Sequence, residues 1–539
     1  MRRAEVYALT GTPIDTKGGR TTAIGPDGLL LAFLLFIGFW RLILAATIPI
    51  TGDEAYFVQW ARHLDWCYYD HPGMIAWLMW PGLQLAGNSL LAARLPSILA
   101  GLVIAGLAWR LAADMYPDTA APRRSLYVAA VMPMAAILAV LVSTDTPLAV
   151  FWPAAMVFLY RAVEKGRMAD WLLAGLCLGG AMLSKFLAFG FLPAAFLYLA
   201  LPPAHRRHFR TPGPWLALAA MAALFLPAVL WNAGHDWLTF KFNFIRRQAT
   251  ADRSAWDPLV FIAGQLFLLG PVVLIAAAGG AAAGARRWFT APRGLFLVLF
   301  AGAPLAGFGC LSFVRDIGAH WTAMVIVPLA IGFARLCEDR PRLYRWGLAT
   351  TAALTLTAGT AAAALCLMGP VRMERMLAGG GLQPLAVQRG VGYVYGIPRV
   401  AALAATLARA EGGVCATPSY ALSATLAFHA PGTHFTVWNS NSVYGRSYDE
   451  WDDPRVSEGR TMVYVGLQGR LTAEAVRNMR PHFRHMAIHA FGTDWVHDLI
   501  AAVDDPAVAG VHHPGGAGGL NAFFVIVGSS FASEGKNRE

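Results

Sequence analysis

Apolar residues run in long blocks through the first two thirds of the chain, separated by short polar stretches. A helix needs about 20 such residues to cross a hydrocarbon layer. Eleven segments fit: 28–48, 89–112, 125–143, 147–163, 170–184, 187–202, 214–231, 258–282, 294–313, 320–336 and 346–368. Segments 170–184 and 187–202 are short and read equally well as one kinked pass. From about Gly369 the pattern changes to mixed polarity with no further spanning run. Helical periodicity covers 397–411 and 418–429, and β-rich runs near 413–417, 434–438, 460–466, 484–490 and 522–528 read as strands. The expectation is a polytopic α-helical membrane protein of about 11 transmembrane helices, 28–368, followed by a small C-terminal α/β domain, 369–539. The Gly-rich run 510–519 reads as a flexible loop and 529–539 as a disordered tail.

Composition supports the membrane assignment. The 539 residues are 57% hydrophobic and 14% charged, against about 25% charged in soluble domains, and the mean hydropathy is +0.49. Six scattered cysteines form neither a disulfide framework nor a zinc motif. The net charge of +11 does not indicate nucleic acid, because the basic residues sit in clusters between apolar runs. That distribution orients a membrane protein. With the first span running outward, twenty Lys and Arg fall on the inner side and seven on the outer side. The polar segment 1–27 then reads as a cytoplasmic tail rather than a signal peptide. The C-terminal domain would face outward.

The outer segments 51–80, 143–147 and 232–257 carry the candidate chemistry. Thr51–Trp80 holds Asp53 and Glu54 side by side, then Asp70 beside His71, among the aromatics Tyr56, Trp60, Trp66, Tyr68 and Tyr69. Adjacent carboxylates at a bilayer surface suggest a general base or a metal ligand. Thr51 or Asp53 would equally serve as the cap of a helix through 55–64. Asp70-His71-Pro72 fits a divalent-ion or phosphate site, and also a plain turn. Asp145, in STDTP, is a second acid at the bundle mouth or another helix cap. Arg94 and Lys185 lie near span ends, where a phosphate or simple snorkelling would explain them. Lys241, Arg246, Arg247 and Arg253 defy the positive-inside trend, and Arg315 and His320 lie in the short outer segment 314–320. An anionic substrate would account for such cations. Arg41, inside the first span, needs a buried partner. No phosphate-binding loop, dinucleotide fingerprint or nucleophile elbow appears, so no nucleotide cofactor is expected.

The stretches TGDEAYFVQWARHLDWCYYDHPGMIAWL, AARLPSILAG (92–101), STDTPLAVFW (143–152), LSKFLAFGFLPAAF (183–196) and RDIGAHWTAMVIVPLA (315–330), in this order, resemble the GT-C membrane glycosyltransferases that use polyprenyl-phosphate sugars. That group includes protein O-mannosyltransferases and lipid A aminoarabinose transferases. SYALSATLAFHAPG (419–432) and YGRSYDEW (444–451) resemble its bacterial envelope branch. The resemblance implies that Asp53 is the key catalytic carboxylate and that Asp145 is a second acid near it. It places Asp70 and His71 where the aminoarabinose enzymes carry a Glu-Lys pair, the acid helping to hold a metal and the lysine contacting donor phosphate. Here histidine stands at the lysine position.

The implied reaction is an inverting transfer from a polyprenyl-phosphate donor. Asp53, Glu54 and Asp145 would be catalytic. Arg94, Lys185, Lys241, Arg246, Arg247, Arg315, His320, Tyr56 and Tyr69 would bind substrate, and Asp70 and His71 a divalent ion. The acceptor would be lipid A, lipopolysaccharide or another lipid on the periplasmic face of the inner membrane. A protein hydroxyl is the alternative acceptor, and a flippase of lipid-linked saccharide the alternative class. A transporter would bury its charges at mid-membrane in broken helices, whereas these cluster at one face.

Overall fold

The computed structural model describes residues 26–247, 254–284, 290–369, 372–373, 375–376, 384–438, 445–491, 495–513 and 522–533. Arg253 and the tails 1–25 and 534–539 lie outside them.

Among the described residues, seven helices are long and apolar enough to span a membrane, and two bent helix pairs qualify as broken spans. With Met168–Ser184 and Phe186–Ala200, shorter apolar helices, they correspond one for one to the eleven apolar segments. The first ten α-helices are α1 (Pro26–Thr47), α2 (Gly52–Arg62), α3 (Met74–Ala86), α4 (Leu90–Met115), α5 (Ala121–Val131), α6 (Pro133–Val140), α7 (Asp145–Lys165), α8 (Met168–Ser184), α9 (Phe191–Ala200) and α10 (Pro212–Gly234).

Two segments expected to be single passes are broken. Between α5 and α6 the axis turns 60° at Met132-Pro133, because proline cannot donate to the preceding turn. Between Asp257–Leu269 and Pro271–Ala283 it turns 106°. There Gly270 has φ +87 and Pro271 follows, so the first helix cannot continue through this pair. Small residues allow close helix packing in a bilayer. At α8 a Cβ on Gly175 would sit 2.2 Å from the Ala217 carbonyl oxygen of α10. Arg41 finds its partner at the α5–α6 break, where its guanidinium donates to the Ala130 carbonyl at 2.6 Å.

The outer segment 51–80 is largely helical, formed by α2, which covers the helix expected through 55–64, and by the first half of α3. Thr51 caps α2 with a full capping box: its hydroxyl accepts from Glu54 N, and the Glu54 carboxylate accepts from Thr51 N.

The C-terminal region forms a six-stranded mixed sheet in the order β2-β1-β3-β6-β4-β5. The strands are β1 (Val414–Thr417), β2 (Phe435–Val437), β3 (Met462–Leu467), β4 (His485–Phe491), β5 (Val508–His513) and β6 (Phe523–Ser529). Strand β6 is antiparallel to both neighbours, and the other pairs are parallel. Strand β5 corrects the reading of 510–519 as a loop: residues 510–513 pair with β4, and 514–519 lie outside the described residues. The helix Pro384–Ala410 lays Ile397, Val400, Ala401 and Ala404 on Val463, Val465 and Val525 of the sheet.

This region seats directly on α2. Helix Tyr420–His429 approaches it so closely that a Cβ on Gly52 would lie 2.9 Å from the Ala421 Cβ. The Tyr56 hydroxyl donates to Ser447 Oγ at 2.7 Å and accepts from Ser447 N at 3.0 Å. Tyr56, expected at a substrate surface, is instead buried in this joint.

Candidate active site

The capping box separates the two neighbouring acids of α2. Its geometry turns Glu54 inward and leaves Asp53, also in the first turn, exposed. Asp53 thus lies at the positive end of the helix dipole. The Tyr420 hydroxyl donates to Asp53 Oδ1 at 3.1 Å.

Glu54 meets Arg94, both about 1% exposed at the side chain. Arg94 Nε and Nη2 donate to the two Glu54 oxygens at 2.8 and 2.7 Å, and Val142 N adds a third donor at 2.9 Å. Arg94 also donates to the carbonyls of Ala45, Ile48 and Pro49. All five guanidinium N–H groups are thereby used. Glu54 and Arg94, expected in catalysis and substrate binding, form a closed pair that ties α2 to α4 and leaves no donor for a ligand.

A second pair closes nearby. Lys185 Nζ donates to both Asp145 oxygens at 2.9 and 2.8 Å, with side chains 7% and 2% exposed. The acid expected to act and the cation expected on phosphate thus neutralise each other. His320 Nε2 stands 3.7 Å from Asp145 Oδ2 with its side chain 55% exposed. The Trp321 ring lies under Lys185 at 5.8 Å and under Arg247 at 5.0 Å.

Asp70 and His71 sit on the turn after α2. Arg446 of the C-terminal region pairs with Asp70 Oδ2, its guanidinium stacked on Tyr420 at 3.9 Å. Asp70 Oδ1 is buried without a hydrogen-bond partner among the described residues. Burial pushes the Asp70 carboxyl up to about 6 against the pull of Arg446, and Asp53 adds to the rise. Burial holds His71 well below the usual imidazole range, and Lys185, Arg247, Arg446 and His320 deepen the shift. His71 is therefore neutral. Tyr69 Oη accepts from Arg246 at 3.1 Å, and its backbone N–H donates to Ser447 Oγ at 3.3 Å.

Fields and contacts therefore bring Asp53, Asp70, His71, Asp145, Lys185, Arg247, His320 and Arg446 together. Lys241 does not join them by any contact: it pairs with Asp236 at 2.6 Å, the two side chains 39% and 90% exposed. No hydrogen bond or ion pair ties the Arg315 side chain to the group, and its Nη1 is buried without a partner among the described residues. Sequence reasoning missed Arg446 and Tyr420. A sequence signal was present, since Tyr420 and Arg446 lie in the stretches 419–432 and 444–451 that resemble the envelope branch; in the structure Arg446 is a non-glycine residue at φ +52, a conformation often found at functional sites.

Residues 70–231 match the family model described as dolichyl-phosphate-mannose-protein mannosyltransferase. Lipid A galacturonosyltransferase RgtD of Rhizobium johnstonii is 28% identical over 260 residues, 45% of this chain and 52% of that protein. The match spans about half the length of that relative. The crystal structure of ArnT from Cupriavidus metallidurans bound to undecaprenyl phosphate aligns at TM-score 0.57 and 17% identity, covering 85% of this chain and 95% of that one. Its apo form aligns at TM-score 0.59, also at 17% identity, covering 87% and 96%. The chain has the GT-C fold.

A metal at Asp70 and His71, as the resemblance implies, would need free donors there. One Asp70 oxygen faces a guanidinium where an ion would have to sit. His71 lies in the field of three cationic side chains, and no cluster of three His, Cys, Asp or Glu occurs among the described residues. These residues do not fit a divalent ion, and Arg446 already supplies positive charge there.

The geometry also sorts the basic residues of 238–247. Lys241→Ala removes an exposed pair of little worth and is expected to leave the KM for an anionic substrate unchanged. Arg247→Ala removes a cation from the assembled group and should raise that KM about tenfold. Steady-state kinetics of the two variants check this ordering, and equal effects would contradict it.

Proposed function

We propose that the protein is an inverting glycosyltransferase that moves a sugar from a polyprenyl phosphate to lipid A or a related envelope glycolipid. The observation that carries this reading is an exposed carboxylate, Asp53, close to cations that range from the buried Lys185 through the half-buried Arg446 to the exposed Arg247, at one end of a membrane bundle. The kinship with a lipid A galacturonosyltransferase supports a glycolipid acceptor. A GT-C neighbour solved with undecaprenyl phosphate supports a polyprenyl-linked donor. The twenty-to-seven distribution of basic residues supports a periplasmic site on the inner membrane, with the C-terminal region on that side.

In the reaction, the acceptor hydroxyl oxygen forms a bond to the anomeric carbon while the bond from that carbon to the phosphate oxygen breaks. The electron pair leaves with polyprenyl phosphate, and the acceptor proton passes to Asp53. Arg247 and Arg446 stabilise the charge gathering on the departing phosphate. Tyr420 orients the Asp53 carboxylate. The Asp145–Lys185 pair fixes the floor of the site, and Arg446 delivers its charge from the C-terminal region.

The raised Asp70 value gives this reading a pH signature. Asp70 is protonated below about 6 and there ceases to hold Arg446 by charge. Donor kcat/KM should fall as pH drops through about 6, and Asp70→Asn should lose that acid limb. A limb that survives in Asp70→Asn would assign the titration to another group. The activity itself is tested with purified protein in lipid nanodiscs, a polyprenyl-phosphate sugar and lipid A. A mass increment of one sugar on lipid A is expected, and its absence with every polyprenyl-phosphate sugar supplied would defeat the reading.

A further inference from the structure

A cavity of about 860 Å³ opens in the C-terminal region, away from Asp53. The end of helix Pro384–Ala410, the Gly412–Gly413 turn, the sheet edge at β2 and the segment 451–457 form its walls, together with His63, which closes α2. Asp53 and His63 are ten residues apart along the α2 axis, about 15 Å at 1.5 Å per residue. The cavity therefore opens at the far end of the helix that carries the proposed base.

Its lining has a definite chemistry. The Trp451 ring stacks on His63 with centroids 4.6 Å apart and planes 20° from parallel. Asp452 accepts from His434 Nε2 at 2.8 Å through one oxygen and from the Thr436 hydroxyl through the other. That hydrogen bond keeps His434 protonated to higher pH. Arg460 donates to the carbonyls of Gly412 and Gly413, and Arg409 Nε to Ala405 O. Neither guanidinium pairs with a carboxylate among the described residues, whereas Arg480 in the same region pairs with Asp505 at 3.0 Å. The cavity thus offers two guanidiniums that no ion pair engages among the described residues, the carboxylates of Asp452 and Asp453, and an aromatic pair. Guanidiniums recognise phosphate or carboxylate by charge-assisted hydrogen bonds, and carboxylates accept from hydroxyl groups.

We propose that this cavity is a second binding site that takes an anionic saccharide, a phosphorylated sugar of the acceptor glycolipid remote from its reacting hydroxyl, and that its His63 wall lies about 15 Å along α2 from Asp53. The assignment rests on the glycolipid acceptor of the function proposed above. It gives the C-terminal region a recognition task separate from the delivery of Arg446 to the reacting centre.

The test uses full-length protein in nanodiscs. The probes are a water-soluble glucosamine disaccharide bisphosphate and its unphosphorylated counterpart, read by calorimetry beside steady-state kinetics. Arg409→Gln combined with Arg460→Gln should raise the Kd of the bisphosphate and the KM of the glycolipid acceptor about tenfold or more, with kcat and donor KM unchanged. Arg409→Gln alone, which leaves the Arg460 contacts in place, should show part of the effect with unchanged thermal stability. Asp53→Asn should bind the bisphosphate like wild type. Wild-type binding and acceptor KM in the double variant would overturn the proposal, as would equal binding of the unphosphorylated disaccharide. Glycolipid transfer by a protein that does not bind the bisphosphate also overturns it and leaves the activity standing. Binding that depends on Arg409 and Arg460 without transfer to any glycolipid refutes the activity and supports the site.

Discussion

Asp53→Asn is expected to lower kcat by about 10²-fold or more, the range over which a positioned general base contributes, while the protein folds and inserts normally. The structure makes this a clean substitution. Thr51, not Asp53, caps α2, and Glu54 completes the capping box, so removing the Asp53 charge leaves the helix start intact. Asp53 is exposed and, among the described residues, its side chain has one hydrogen bond, from the Tyr420 hydroxyl at 3.1 Å, which an asparagine oxygen can still accept. Donor KM should change little, because the cations proposed to hold the phosphate are untouched. A variant that folds like wild type and turns over like wild type would return Asp53 to a structural role.

Arg94→Met should produce the largest loss of stability in the membrane bundle. Glu54 would stay at about 1% side-chain exposure with its counter-ion gone. Breaking such a pair from one side costs about 3–5 kcal/mol, and the carbonyls of Ala45, Ile48 and Pro49 would lose their donor as well. A marked drop in Tm and in folded yield from detergent extracts is expected. Glu54→Gln combined with Arg94→Met should recover part of the loss, since no isolated charge remains buried. An unchanged Tm in Arg94→Met would show that the pair holds nothing together. This effect separates Glu54 from Asp53: of two adjacent acids, one serves the fold and the other the proposed chemistry.

How much of this could be read from the sequence follows from the range of each interaction. The eleven apolar segments were legible because spanning length is a local property, and each has a helical counterpart. Their straightness was not, because apolarity carries no information on axis direction, although Gly270-Pro271 marks the sharper bend. Asp53 stood out by its place just after the first span. The fates of Glu54, Arg94, Asp145 and Lys185 did not, because each pair is separated by forty residues and only packing decides which charge meets which. Arg446 was the least accessible: it reaches Asp70 across 376 residues of chain, from a turn whose importance depends on how the C-terminal region seats on α2. Strand β5 was hidden by its glycine and paired histidines, which resemble loop composition until β4 supplies a partner.

The central claim is the transfer of a sugar from a polyprenyl phosphate to an envelope glycolipid with Asp53 as base. Mass spectrometry of lipid A tests it most directly, comparing cells that lack the gene with the same cells complemented by wild type or by Asp53→Asn. The account predicts a lipid A species heavier by one sugar residue with wild type, lost in the deletion and not restored by Asp53→Asn at equal membrane abundance. Identical glycolipid profiles in all three strains, or full restoration by Asp53→Asn, would contradict it.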